Sequence, residues 1–499
     1  MPSERSGSVP ARKTEGSITV FLSLFSVILV SLIASAFVSV KVEAGKARCA
    51  LAMDLALFSG LARYDRELFE AFDVFFVDGG CESPALRMDV LNRRLKEDFL
   101  VNLCPAEGAA SVFGRDLLRL ETEQAAVTGY TLATDAEGEI FAEQAVTYMR
   151  DTLGVQGLSE LMDAASKERE EGKKKTEPQE TAKEGAYETL LAEAESAKKE
   201  GEAEKGEVPP DFVNPIPFME KLREFSLTEL AAGGAEKISP GVMEDGRLLK
   251  NRKAETGMGI IELPEAAGGA ERKALFAQYG MRHFKNFVSA ESGKAEGLSY
   301  EAEYLAGGKL SDRKNLEKVA RKLLAVREAV NTASLLADPD KQLKITAVSA
   351  SVASLLLLPA AEPVLRLILS GGWAYAESLV DIRALFSGKR VPAVKDASSW
   401  QVPLEAIPSL LGEGAIDLLG RDAEGGMSYG DYMRAFLLLT DRKKLTQRSL
   451  EMVECRLRDG GKENFRIDHA VSSLTFEVKV KSERRALLRE ERTLSYSDL

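Results

Sequence analysis

Two histidines in 499 residues leave little room for imidazole-based metal or acid–base chemistry, and the four cysteines contain no Cys-x-x-Cys pair. A structural zinc site is therefore not expected. Neither a G-x-x-x-x-G-K-[ST] phosphate loop nor an H-E-x-x-H pair occurs. Positive charge is also in deficit: 66 Lys and Arg against 78 Asp and Glu leave a net charge of −12. That balance argues against a nucleic-acid surface, which needs clustered cations to neutralise phosphates. No catalytic residue, cofactor, metal or nucleic-acid partner is expected.

What the chain does have is a long apolar run near its start. No charge falls between Glu15 and Lys41, and the run exceeds the ~20 residues that cross a bilayer's hydrocarbon core. Residues 1–16 read as a cytoplasmic leader and 17–42 as a transmembrane helix. A cleaved secretory signal is the nearest rival, with Ala34-Ser35-Ala36 imitating a cleavage site, but the apolar run continues past it. The expected location is the cell membrane, single-pass, with the N-terminus cytoplasmic and the bulk extracytoplasmic. Arg5, Arg12 and Lys13 precede the span and Lys41, Lys46 and Arg48 follow it, so charge decides orientation weakly and a cytoplasmic bulk is the alternative. Ser31, Ser35 and Ser39 lie four apart on one helix face, a candidate for close helix–helix contact or merely a slightly polar anchor.

The expected fold class is mainly α (α+β): a transmembrane helix continuing into a long stalk helix, then a helical ectodomain with a few strands. Leu51, Leu55, Phe58, Leu61, Leu68 and Phe72 recur at helical intervals, so the first helix is expected to run on toward Phe72. Residues 43–162 read as a membrane-proximal helical region with some strand, including a helix from about Leu86 to Leu103 and strand character in Gly129–Asp135. From 163 to 210 the chain is dominated by Glu, Lys, Ala, Gly and Thr and cannot offset its ordering entropy, so it reads as a charged linker. Residues 211–499 read as mainly helical with C-terminal strands, where Phe465 to Lys481 alternate. Ile345–Ala361 is a second uncharged run, too short and too proline-bounded for a span, and is expected to form a buried core hairpin.

Candidate chemistry is sparse. Gly426-Met427-Ser428-Tyr429-Gly430 fits the G-x-S-x-G nucleophile elbow, with Asp431, Asp441 and His469 following in hydrolase order. The polar segment before it lacks the required strand, so Ser428 is expected to cap a helix. Glu301 and Glu303 are expected as solvated or helix-terminal carboxylates on a strand or turn, His283 as a surface or edge residue, and His469 as structural in the strand region. Cys81 and Cys104 flank a short segment and are disulfide candidates in an exported domain, with Cys49 competing; four reduced thiols are the alternative.

The leader ending Lys13-Thr14-Glu15-Gly16, followed by Ser17-Ile18-Thr19-Val20-Phe21 opening the apolar helix, resembles the start of the pseudopilins. The stretch Ala50–Gly60 is similar to the corresponding part of TadE/TadG-like proteins of tight-adherence pilus systems. GYTLATD, YEAEYLAGG, WAYAESLVDIRALFSGKRVP and GMSYGDYMRAFLLL resemble an uncharacterised family of Gram-positive membrane proteins. The resemblance implies a non-catalytic pseudopilin-like or assembly component of a tight-adherence pilus or type II/IV-like secretion system. Its partners would be the lipid bilayer, pseudopilins and a platform protein. Leader processing between Gly16 and Ser17 belongs to the same implication, but prepilins generally carry Glu five residues after the processed Gly and Phe21 stands there. The alternatives are an extracytoplasmic binding or sensor domain and a membrane-tethered serine hydrolase.

Overall fold

The computed structural model describes residues 15–103, 118, 120–154, 157, 159–163, 214–224, 226–259, 269–290, 297–356, 358–411, 420–482 and 487–498. Of the expected linker 163–210, only Asp163 is among them. The elements in chain order begin with α1 (Glu15–Leu61), α2 (Arg66–Phe72), β1 (Val77–Asp78), α3 (Met88–Leu103), β2 (Leu120–Leu132) and a helix α4 over 135–154. Then come α5 (Ile216–Glu224), α6 (Leu227–Ala232), α7 (Gly269–His283), α8 (Glu301–Gly307), α9 (Asp312–Ala337), α10 (Pro339–Leu355) and α11 (Glu362–Phe386). The chain closes with α12 (Tyr429–Leu439), α13 (Arg442–Asp459), β3 (Ala470–Ser482) and β4 (Leu487–Ser495). The fold is mainly helical with one small sheet.

The first helix ends at Leu61, short of the Phe72 that its periodicity suggests. The amide of Arg63 turns back to the Gly60 carbonyl, and Asp65 takes an extended backbone (φ −70°, ψ 110°) from which its carboxylate accepts the Leu68 amide and caps α2. A buried capping carboxylate needs a counter-charge, and Lys462 supplies it at 2.6 Å. The apolar pattern survives this break because α2 buries Leu68 and Phe72 in a second core.

The sheet is antiparallel throughout. β3 is its centre: β2 pairs along one edge, and β4 with the two-residue β1 pairs along the other. Strand periodicity sends Leu474, Phe476, Val478 and Val480 to one face, where all four are fully buried against Met53, Leu57, Leu95 and Phe99. Fully burying such side chains stabilises by roughly 1.5–3 kcal/mol each, which fastens α1 and α3 to the sheet. Glu477, Lys479 and Lys481 alternate onto the other face. Gly129 is required in β2 because a Cβ there would stand 2.9 Å from the Met258 carbonyl, whose residue bridges the neighbouring Tyr130 and covers that edge. The C-terminal strands, read from sequence as part of the 211–499 region, thus join β2 of the 43–162 region in a single sheet.

Beyond the apolar run α1 is not a bare stalk, because from Gly45 onward one side of it is covered by the sheet domain. β4 runs beside it in the same direction: Leu488 lies by Gly45, Arg492 pairs with Asp54 at 2.9 Å, and the Tyr496 hydroxyl donates to the Leu61 carbonyl. The remaining helices form a domain entered from Leu132 and left at Ala470, at the end of the sheet away from the apolar half of α1. Its centre is α11, buried on nearly all sides from Leu369 to Phe386.

The uncharged run 345–361 forms the last part of α10 and the turn into α11. Ile345, Ser349, Val352 and Ala353 face inward as expected, but Leu355 and Leu356 are more than half exposed, so the hairpin is buried on one side alone. Among the described residues, α1 is the one helix long and apolar enough to cross a membrane.

Candidate functional site

Ser428 caps α12. Its Oγ accepts the Asp431 amide at 3.2 Å and donates to Asp431 Oδ2 at 2.7 Å, and the same carboxylate takes the Ser428 amide at 2.9 Å, which closes a capping box. Asp441 caps α13 through the Lys444 amide. His469 sits in the short turn before β3, beside Gly79 and Gly80, with neither ring nitrogen hydrogen-bonded, and burial pushes its pKa down. The histidine of the hydrolase pattern is therefore hydrogen-bonded to neither Ser428 nor the two aspartates, and the Ser428–Asp431 contact is that of a helix cap. Ser428→Ala is expected to lower stability by about 1 kcal/mol, the usual value of an N-cap, with Ser428→Asp restoring most of it; thermal unfolding of both variants checks this.

Glu301 and Glu303 are helix-terminal, in the first turn of α8 rather than on a strand, but they are buried and not solvated. Glu301 receives the Arg456 guanidinium and the Lys285 amide. Glu303 accepts the Tyr429 hydroxyl at 2.5 Å and the Phe287 amide at 2.8 Å. Burial pushes Glu303 up to about 7, against the lowering effect of those two hydrogen bonds. The side-chain partners, Arg456 and Tyr429, lie more than a hundred residues away, so local sequence carries no sign of this burial. His283, expected at the surface, also has a largely buried side chain, 4.4 Å between ring centres from Tyr279 and with Nδ1 3.2 Å from the Ala71 carbonyl. Burial lowers its pKa. Among the described residues no three His, Cys, Asp or Glu side chains converge as a metal site.

Of the residues singled out on α1, Gly16 and Ser17 lie in its first turn and Ser31, Ser35 and Ser39 are exposed. Ser35 precedes Met53 by five turns at ~3.6 residues per turn, so the serine face continues the side of α1 that packs on the sheet. The opposite side is the one left open. Val40, Ala44, Ala47, Leu51, Leu55, Phe58 and Ala62 follow one another at steps of three or four, and all are exposed. Leu51, Leu55 and Phe58 keep 54%, 44% and 48% of their surface, and the row carries no charge where the opposite side is already buried. The signal was present as helical periodicity, but periodicity alone does not say which apolar residues meet the sheet. Cys81 is a free thiol, Cys49 is free and buried, and Cys104 lies outside the described residues.

Sequence reasoning also missed a buried ionic cluster in the helical domain. Arg327 of α9 meets Asp381 of α11 at 2.9 Å, and Lys395 meets both Glu377 and Asp381, all four side chains fully enclosed. Asn331 adds a hydrogen bond to Asp381 at 3.0 Å. The spacing Glu377–Asp381, one helical turn within an apolar helix, was its trace in the sequence. Beside the cluster, between the end of α9 and residues 394–397, lies an open groove of about 570 Å³ whose walls include Val330, Ser334, Ala337 and Val394.

Comparison with curated proteins and with solved structures finds no match among either. Residues 202–482, more than half of the chain and spanning α5 through β3, match the family of unknown function DUF5702, and the chain belongs to that family.

Proposed function

We propose that the chain is a membrane-anchored, non-catalytic pseudopilin-like or assembly component of a tight-adherence pilus or type II/IV-like secretion system, with its bulk extracytoplasmic. The observation that carries this reading is the open apolar face of α1 between Val40 and Ala62. A helix already seated on a sheet gains nothing in water from a second apolar side, and such an unpartnered stripe marks a protein contact. Because the stripe continues the apolar half of the same helix, neighbouring subunits packed along it would hold together inside and just outside the bilayer, as pseudopilin helices bundle. The leader resemblance at Lys13–Phe21 points the same way, and Phe21 in place of Glu favours an anchored assembly role over filament incorporation.

Site-specific cross-linking from Leu51 in native membranes tests this. Adducts to a second copy or to a pilus or platform component are expected, and Leu55→Glu, which sets a charge in the stripe, is expected to abolish them while leaving the protein folded. Adducts unchanged by Leu55→Glu would sink the reading. The second reading, an extracytoplasmic binding or sensor domain, is favoured by the open groove beside Val330 and Val394, whose volume of about 570 Å³ would admit a small molecule. Cross-linking from Leu51 with no protein partner would move the balance to it.

A further inference from the structure

The last carbonyls of α8 gather positive charge from two neighbouring helices. Lys318 Nζ of α9 donates to the Gly307 carbonyl at 2.8 Å, Lys322 Nζ, one turn further along α9, lies 3.5 Å from the Ala306 carbonyl, and Arg448 Nη1 of α13 donates to the Leu305 carbonyl at 2.7 Å. These three carbonyls are consecutive, so they share one helical turn of ~5.4 Å pitch and the cations meet around it. Gly308 ends the helix at φ 68° and leaves room for the Arg448 guanidinium, into which a Cβ would run. The exposed Lys309 and Lys444 stand close by. Burial, and then the charges of Arg448, Lys309 and Lys444, lower the pKa of Lys318; burial, and then Lys318 and Arg448, lower that of Lys322.

Among the described residues none of these five side chains forms an ion pair, although the chain's net charge is −12. The acids alongside are engaged elsewhere: Glu317 pairs with Arg321, Asp441 caps α13, and Glu451 accepts the Tyr304 hydroxyl and the Lys250 amide. Capping α8 does not use the positive charge up. A helix end carries only about half an elementary negative charge, and three cations touch this one. Each ammonium also has three N–H groups and the guanidinium five, so most donors stay available for an oxygen-rich anion. We propose that Lys309, Lys318, Lys322, Lys444 and Arg448, around the end of α8, form a binding site for a phosphate-type oxyanion, free or carried on a polymer. A tetrahedral oxyanion accepts from several of these donors at once, and the Arg448 fork suits two of its oxygens. Cations grouped about one helix end match a compact anion rather than the regularly spaced phosphates of a nucleic acid. The inference is independent of the membrane anchor and of the apolar stripe on α1.

Calorimetric titration of pyrophosphate into the full-length protein in zwitterionic nanodiscs tests this. Wild type is expected to bind saturably. Lys318→Gln with Lys444→Gln, both exposed and on helix surfaces, is expected to weaken binding roughly tenfold or more, as the loss of charge-assisted hydrogen bonds implies. The matched control, Lys285→Gln with Lys344→Gln, removes two exposed lysines outside the cluster and should bind as wild type does. A long polyphosphate titrated in parallel assigns the source: binding much tighter than that of pyrophosphate marks a polymer, and comparable binding marks a free anion. Absence of saturable binding of either anion, undiminished affinity in the first double variant, or equal weakening in the control overturns the proposal.

Discussion

Asp381→Ala is expected to cost the helical domain about 3–5 kcal/mol, the usual loss when one partner of a buried ion pair is removed. The carboxylate serves Arg327, Lys395 and Asn331 together, and none of these side chains reaches water. Without it Arg327 keeps the Pro392 carbonyl at 2.8 Å and the Tyr432 hydroxyl at 3.2 Å, but no opposite charge. Since whole domains are stable by only about 5–15 kcal/mol, a large part of the margin would go. Both tryptophans report directly: Trp373 and Trp400 donate to the Val402 carbonyl, and the Lys395 ammonium lies 6.0 Å from the Trp400 ring. Urea unfolding followed by their fluorescence should show a midpoint well below wild type. Arg327→Met with Asp381→Leu, which removes charges of both signs, should recover much of the loss; a single variant within 1 kcal/mol of wild type would contradict the account.

Glu303→Gln is expected to flatten part of the stability profile between about pH 4.5 and pH 7. The folded state holds the Glu303 proton up to about 7, whereas an unfolded glutamate releases it near 4.5. In that window the folded chain binds more protons, so this group's contribution is full in acid and lost as pH rises through about 7. A shift of this size corresponds to about 3 kcal/mol at most. Buried Asp312 and Glu377 are raised by burial in the same sense, while His283 and His469, lowered by burial, act in the opposite one. The informative quantity is therefore the difference between wild type and Glu303→Gln, measured as unfolding midpoints at pH 5 and pH 8. The variant should gain on wild type at the higher pH, and parallel profiles would refute the assignment.

Legibility from sequence followed the range of the forces at work. α1, α3 and the alternation of β3 were readable because each writes its own periodicity. β2 was half missed: only Gly129–Asp135 looked like strand, since the Leu120–Ala126 portion has a polar solvent face and register shifts after Thr122 and Val127 break its alternation. The helix cap at Ser428 was legible because its partner is three residues away. Glu301, Glu303 and the Arg327–Asp381 pair were not, because a charge looks solvated until the distant group that encloses it is known. The same reason hid the open face of α1. Leu51 and Met53 are equally apolar, and only the arrival of β3 decides which is covered.

That arrival is late. Phe476 follows Leu57 by roughly 400 residues, which at synthesis rates of ~5–20 residues per second is a delay of about 20–80 seconds. Throughout that interval the side of α1 that carries Met53 and Leu57 has no sheet to rest on, because the strand that all the others pair with has not been made. The nascent helix then shows apolar residues around its whole circumference just beyond the apolar run. A chaperone or a neighbouring subunit that captures it at this stage meets two faces, and the completion of β3 and β4 removes one of them. Completion of β3 and β4 thus covers one of the two apolar faces of α1 and leaves the folded chain with a single open one.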